Sequence, residues 1–481
     1  MKPVQTKSFS SSFLTYALGV FLSRGMSFLL VPIYISYIEI EDFGALELTV
    51  QVINFIVLLG AFEIIQGLVR FYYDKKSNQD LIASTAFYFA LSMHLIIAFF
   101  LFYFAEFFSN ILFDTLEYIN LVRTLSIISV FAFLNSFTSS ALIVQRRAKE
   151  FSFGNITYAA ISSIASIIFV IKNGLGLQGV LFGLLCGHFF ASMLNLFFLK
   201  SLLKFQFSVN YLKQMIVFSL PLMISSLSAF LNLYFDRLII TKFLDFKQLG
   251  FYSMGYKVAL LAGLIFSIFK TTTTPYIFEN YKKEFLKISL NNILKVYVII
   301  ASSLLLGSFM FSGEIIYFIS DSRFRPAIVL VPLFVASFSL SGAIIFFPGF
   351  GIARKSSQIA LITASACFVN IILNIILIQK FGIIGSVYSS LISNLFLLAS
   401  YILFSKKYFA TNYDVSFIKT TSFLIGFLYL TYLISQIEST SILKVFINCL
   451  ILLTFISVLL LIQFSVDEIK ISFRKVFKKS I

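Results

Sequence analysis

The chain is written in apolar runs of about 20 residues, the length a helix needs to cross a hydrocarbon core of roughly 30 Å. Short polar connections separate them. The runs fall at approximately 13–37, 43–67, 81–105, 119–144, 153–171 and 175–199, and again at 214–235, 249–272, 289–312, 327–350, 357–378 and 382–404. Two more lie at 417–435 and 443–464. The pattern predicts an all-α polytopic membrane protein with about 14 transmembrane helices, because only helices of this length satisfy their own backbone polar groups in lipid. Pro32, Pro221, Pro332 and Pro348 fall inside runs, where each removes a backbone hydrogen bond and permits a bend.

Lys and Arg sort by the parity of the connections, and this sets orientation by the positive-inside rule. The N-terminal stretch, the even-numbered connections and the tail hold most of the 37 basic residues, among them Arg70, Arg146, Arg147, Lys149, Lys200, Lys204, Lys282, Lys355 and Lys406. The first and third connections are purely acidic, with Glu39, Glu41 and Asp42 in one and Glu106, Asp114 and Glu117 in the other. The expectation is a multi-pass membrane protein with both termini cytoplasmic.

A second order lies over the spans. Gly44, Gly176 and Gly179 recur at one constant offset as Gly250, Gly382 and Gly385, Lys149 and Lys200 recur as Lys355 and Lys406, and Glu39 returns as Asp245. Six spans per copy is an even number, so both copies enter the bilayer from the same side and form parallel repeats. The expected organisation is an N-terminal six-helix bundle at 1–205 and its repeat at 206–410, forming two lobes around a central cavity. Two added helices with a basic cytoplasmic tail would occupy 411–481.

Composition excludes several function classes. With 59% hydrophobic and 12% charged residues, the chain has no soluble domain, and its net charge of +16 is spread over short loops, so nucleic acid is not an expected partner. No connection is long enough for a catalytic insertion, and the chain is not expected to be an enzyme. The longest, Pro275 to Lys287, reads as a short amphipathic surface segment or a solvated linker. Cys186, Cys367 and Cys449 each sit inside an apolar run without paired spacing, which points to small core residues and to no metal site. The first run follows a polar start and contains Arg24, so it is expected to be retained and not removed as a leader.

Charges inside the spans are the candidate functional groups, since a charge near mid-bilayer costs roughly 2.5 to 3.5 kcal/mol and must face a polar interior. Arg24 stands in the middle of the first run, as a cavity cation or one half of a structural ion pair. Asp236 and Arg237 lie late in the seventh and Lys257 inside the eighth, where Lys257 could meet the Asp236 carboxylate or an anionic ligand. Neighbours on a helix point about 100° apart, so one of Asp236 and Arg237 is expected to face the cavity. Arg123, near the start of the fourth run, is a fourth cavity cation unless it snorkels to water. Glu63, His94 and His188 are protonatable groups within spans, each either a coupling site or hydrogen-bonded packing. Proton or sodium coupling would need no other cofactor.

The stretch from Leu220, LPLMISSLSAFLNLYFDRLIITKFLDFKQLGFYSMGYKVA, resembles the centre of the bacterial Wzx-type oligosaccharide flippases, of the multidrug/oligosaccharidyl-lipid/polysaccharide exporter superfamily. The matching residues are Leu220 and Pro221 opening the seventh helix, Asp236 and Arg237 near its end, and Gly250, Tyr252 and Lys257 in the eighth. EDFGALEL from Glu41 and FGIIGSVYSSLIS from Phe381 look like the same family. The resemblance implies movement of undecaprenyl-pyrophosphate-linked oligosaccharide repeat units to the outer leaflet by alternating access, in O-antigen, lipopolysaccharide or other surface polysaccharide biosynthesis. It also implies a cation-lined cavity onto which Arg24, Arg237 and Lys257 map, and a polysaccharide polymerase and chain-length proteins as partners. The rival readings are a multidrug/cation antiporter or a lipid II flippase of the same superfamily.

Overall fold

The computed structural model describes residues 19, 22, 23, 25, 26, 30–74, 78–320, 322–353, 355–410 and 441–463. Ten helices among them are long and apolar enough to cross a bilayer, and Val445–Leu460 is a shorter apolar one. The predicted span at 417–435, the tail and Arg24 lie outside the described residues.

The chain packs as two compact units, Met1–Gly250 and Phe251–Ile481. The first contains α1 (Val31–Ile35), α2 (Ile40–Ala61), α3 (Ile64–Asp74), α4 (Gln79–Tyr103), α5 (Ala105–Phe113), α6 (Ile119–Val144), α7 (Ala148–Ile167, continued by one π turn, Ile168–Lys172), α8 (Gly176–Phe198) and α9 (Val209–Phe243). Packing divides the chain after Gly250 and not at the expected boundary of 205, with α9 lying along α2, α3 and α4 of the first unit. The helix α10 (Phe246–Asn280) begins in this unit and continues into the second. There α11 (Phe285–Ile319), α12 (Leu330–Ala343), α13 (Gly349–Ile352), α14 (Ser356–Phe381), α15 (Ile383–Ser405) and α16 (Ser441–Gln463) follow.

The side chains are arranged for lipid. On α4 and α5, Leu95, Ile96, Phe99, Phe100, Tyr103 and Phe107 are exposed, while Ser84, Thr85, Ser129, Thr138 and Asn195 are buried between helices. Small polar residues allow close approach and bond across or along the helices, as Thr85 Oγ1 does to Leu81 O (2.6 Å) and Thr138 Oγ1 to Leu134 O (2.7 Å). Cys367 is buried as expected, but Cys449 is exposed on α16.

Three departures from the sequence expectation have local causes. The second run is two helices, because Phe62 and Glu63 both adopt the left-handed conformation (φ 48° and 51°) and the Phe62 amide bonds Leu59 O instead of continuing the α ladder. The tenth run is interrupted at Pro348, which precedes α13, whereas Pro221 lies inside α9 without ending it. The supposed surface segment at 275–287 is mostly helix, since α10 runs to Asn280 and α11 starts at Phe285.

The repeated glycines acquire a structural meaning. A Cβ on Gly44 would collide with the Phe246 carbonyl oxygen, and one on Gly250 would stand 2.5 Å from the Ile40 carbonyl oxygen. Ile40 and Phe246 stand at the same sequence offset as the two glycines, and the first turns of α2 and α10 meet through both contacts. Glu41 pairs with Lys247, its own equivalent, at 3.9 Å, and Asp114 pairs with Lys242 at 2.7 Å. Beside them Tyr118 packs at a tilt against Phe113 and donates to Asp42 Oδ1 at 3.5 Å. Burial, then the Asp42 carboxylate, pushes the Tyr118 phenol up to about 12, so it keeps the proton it donates.

Candidate functional site

The sequence-predicted residues that the structure describes separate into four places in the first unit and one in the second. Asp236 and Arg237 lie near the end of α9, both buried, with Arg237 only 1% exposed. The Arg237 guanidinium turns back along the helix, placing Nη1 3.3 Å from Asp236 Oδ1 and its plane 5.0 Å over the Tyr234 ring. Asp236 Oδ1 also accepts from the Arg237 backbone amide at 2.9 Å. The two side chains therefore face each other. In this conformation neither residue is presented to solvent, because flexible Arg reach overcomes the 100° separation of their Cβ directions.

Arg123 is exposed on the second turn of α6. It lines an open cleft with Phe102 of α4, Asn120 and Thr124 of α6, and Gln178 and Phe182 of α8. Its guanidinium sits 5.9 Å from the Phe102 centroid, and Gln178 Nε2 donates to Thr124 Oγ1 at 2.5 Å. Three helix ends thus present one cation and two amides at a shared rim, in keeping with a side chain that reaches water from the end of a span. Lys257, half-buried on α10, belongs to the second unit.

Glu63 is the second residue of the left-handed break and is half-buried. His94 lies close to that break, fully buried, with Nδ1 2.8 Å from Ala90 O and its ring stacked on Phe133 at 4.0 Å. Gly60 makes room for it: a Cβ there would come within 2.8 Å of Cε1 and Nε2. Gly60→Ala should lower thermal stability by about 1 to 3 kcal/mol through overpacking, despite alanine's better helix propensity. An unchanged melting temperature in detergent would show that His94 moves aside freely.

His188, half-buried on α8, packs at a tilt against the Tyr158 ring of α7, with centroids 4.5 Å apart. Sequence reasoning missed its companions, Asn135 and Asn195. Asn135 Nδ2 approaches His188 Nδ1 at 3.5 Å, while Asn195 Nδ2 donates to Asn135 Oδ1 (3.3 Å) and Ser139 Oγ (3.4 Å). Two amides within long apolar runs were the available signal, since each needs partners there.

Comparison with known proteins places this architecture. The sequence profile of the family described as polysaccharide biosynthesis protein matches residues 37–329. Among solved structures, the fold is similar to the lipid II flippase MurJ in an inward closed conformation, at 19% identity and a TM-score of 0.74, covering 93% of this chain and 99% of that one. It is also similar to an inward-facing multidrug resistance MATE family transporter of the MOP superfamily, at 15% identity, a TM-score of 0.64, and coverage of 82% and 97%. A Pyrococcus furiosus transporter of that superfamily, described as having a binding pocket of reverse polarity, matches at 14% identity, a TM-score of 0.57, and coverage of 82% and 95%. The search of curated proteins found no match. These likenesses agree with the resemblance to oligosaccharide flippases carried by the stretch from Leu220, and the profile covers well over half of the chain: it is a member of the polysaccharide biosynthesis protein family, with the all-helical membrane fold of flippases and transporters.

Proposed function

We propose that the chain moves an undecaprenyl-pyrophosphate-linked oligosaccharide from the cytoplasmic to the outer leaflet of a bacterial inner membrane by alternating access, for O-antigen or another surface polysaccharide. The observation that carries this reading is the family match over 37–329 together with a fold similar to that of a lipid flippase. A pyrophosphate with sugars cannot cross hydrocarbon unaided, whereas its polyprenyl tail can stay in lipid. Outward movement of the anion is favoured by roughly 2.3 kcal/mol per charge per 100 mV with the cell interior negative. The field can therefore drive loading-to-release, leaving a proton or sodium gradient to reset the empty carrier. Polymerase and chain-length proteins would receive the product.

Arg24 is the residue assigned to the pyrophosphate. Removing a charge-assisted bond worth about 1.5 to 3 kcal/mol lowers affinity roughly 10- to 150-fold. Arg24→Ala should reduce surface polysaccharide to background while protein level and insertion stay normal. Flipping of a fluorescent polyprenyl-pyrophosphate oligosaccharide by the purified protein in liposomes gives the direct assay. No flipping of it, with flipping of lipid II instead, would reassign the substrate; export of cationic drugs alone would overturn the reading.

A further inference from the structure

The two amides beside His188 form a directional chain. Asn195 donates to Asn135, and Asn135 donates to His188 Nδ1, which must then be an unprotonated acceptor. At the far end Asn195 Oδ1 is buried with no hydrogen-bond partner among the described residues, against the face of Gly154 on α7, where a Cβ would collide with it. Asn195 is 0% exposed. An unmet acceptor inside a span costs about 1 to 3 kcal/mol, so the present arrangement is held at an expense.

We propose that His188 is a proton-binding site whose occupation inverts the side-chain amides of Asn135 and Asn195, giving the first unit two hydrogen-bonded states. A proton arriving on Nδ1 turns that nitrogen from acceptor to donor. Asn135 must then offer Oδ1, which turns its NH2 towards Asn195, and Asn195 must answer with Oδ1. The Asn195 oxygen gains Asn135 and the Ser139 hydroxyl as donors, while the Asn195 NH2 takes its former place beside Gly154. All present contacts, at 3.3 to 3.5 Å, lie at the long end of the hydrogen-bond range, so no tight bond opposes the inversion.

The surroundings leave the event to this cluster. Tyr158 is the titratable group facing His188 from α7. Lys149 and Glu150 lie about 12 Å or more along α7 from Tyr158, and Arg123 about 18 Å along α6 from Asn135. On α2, which also packs against α6 and α8, Glu41, Asp42 and Glu47 occupy the first two turns, at the end where α6 and α8 begin. His94 of α4 faces Phe133, on another side of α6. Arg24, in the first predicted span, lies outside the described residues. Because α6 and α8 are joined by these amides, inversion changes how the two helices hold each other. In the transport cycle proposed above, that makes His188 the proton-coupling residue.

The chain has two histidines, so selective 15N-histidine and 15N-asparagine labelling of protein purified without a polyhistidine tag yields two imidazole signal pairs beside the side-chain amides, and His188→Gln, Asn135→Leu and Asn195→Leu assign them. As pH is lowered from about 8, the His188 signal should shift from neutral to cationic, and the Asn135 and Asn195 side-chain amide signals should move with the same midpoint. Asn135→Leu should move that midpoint by about one pH unit, a roughly tenfold change in proton affinity. A His188 that stays neutral while the protein remains folded overturns the proposal, as do amide signals that ignore its titration. In liposomes His188→Gln should flatten the pH dependence of flipping, and an unchanged profile overturns the coupling role. Because the titration is read without substrate, wild-type protein that titrates but flips nothing defeats the transport reading and leaves the switch standing.

Discussion

Gly44→Ala should destabilise the protein and stop transport, even though alanine is by about 1 kcal/mol the better residue in a helix interior. The new methyl would enter the space of the Phe246 carbonyl, a backbone atom that cannot rotate away. To relieve it, the first turn of α10 must withdraw from α2, and the reciprocal seat of Gly250 on Ile40 and the Glu41–Lys247 pair go with it. Overpacking of this kind costs about 1 to 3 kcal/mol before the lost contacts are counted. Gly250→Ala should reproduce the effect, because the contact is the same seen from the other side. Gly307→Ala is the control: on α11 its Cβ would meet only Leu452 Cδ2 at an ordinary 3.7 Å, so that variant should melt at or above the wild-type temperature. Equal melting temperatures for Gly44→Ala and Gly307→Ala would remove the contact from any role.

The same pair shows what the sequence could and could not convey. That Gly44 and Gly250 share a register was visible, but not that one seats the other; a repeat specifies equivalence, and only packing specifies partnership. Helices were legible because their length is imposed by the bilayer: the run at 119–144 is α6 residue for residue, and 382–404 differs from α15 by one residue at each end. The break at Phe62 and Glu63 was not legible, since neither residue carries a left-handed preference and tertiary packing around Gly60 and His94 accompanies it. Asn135 and Asn195 went unnoticed because a search for charge passes over amides. Arg237 was noticed, and its charge suggested an open cavity; in this structure it is buried against the carboxylate one residue away and the Tyr234 face.

That internal pair gives the other large effect. Arg237→Met should destabilise the first unit by about 3 to 5 kcal/mol, the cost of leaving a buried partner charge uncompensated. The expectation follows from burial: Arg237 and Asp236 are 1% and 4% exposed, and the Asp236 carboxylate would lose the guanidinium 3.3 Å away while keeping the backbone amide of residue 237. Asp236→Asn alone should cost a similar amount by stranding the cation. The double variant Asp236→Asn with Arg237→Met should regain most of the loss, since an apolar and amide pair of similar volume carries no desolvated charge. Both residues have further contacts, so recovery will fall short of wild type. Thermal unfolding of the four proteins in one detergent supplies the double-mutant cycle. Strict additivity would mean that the two side chains do not sense each other, and a stable Arg237→Met protein that has lost only flipping would return Arg237 to the substrate path.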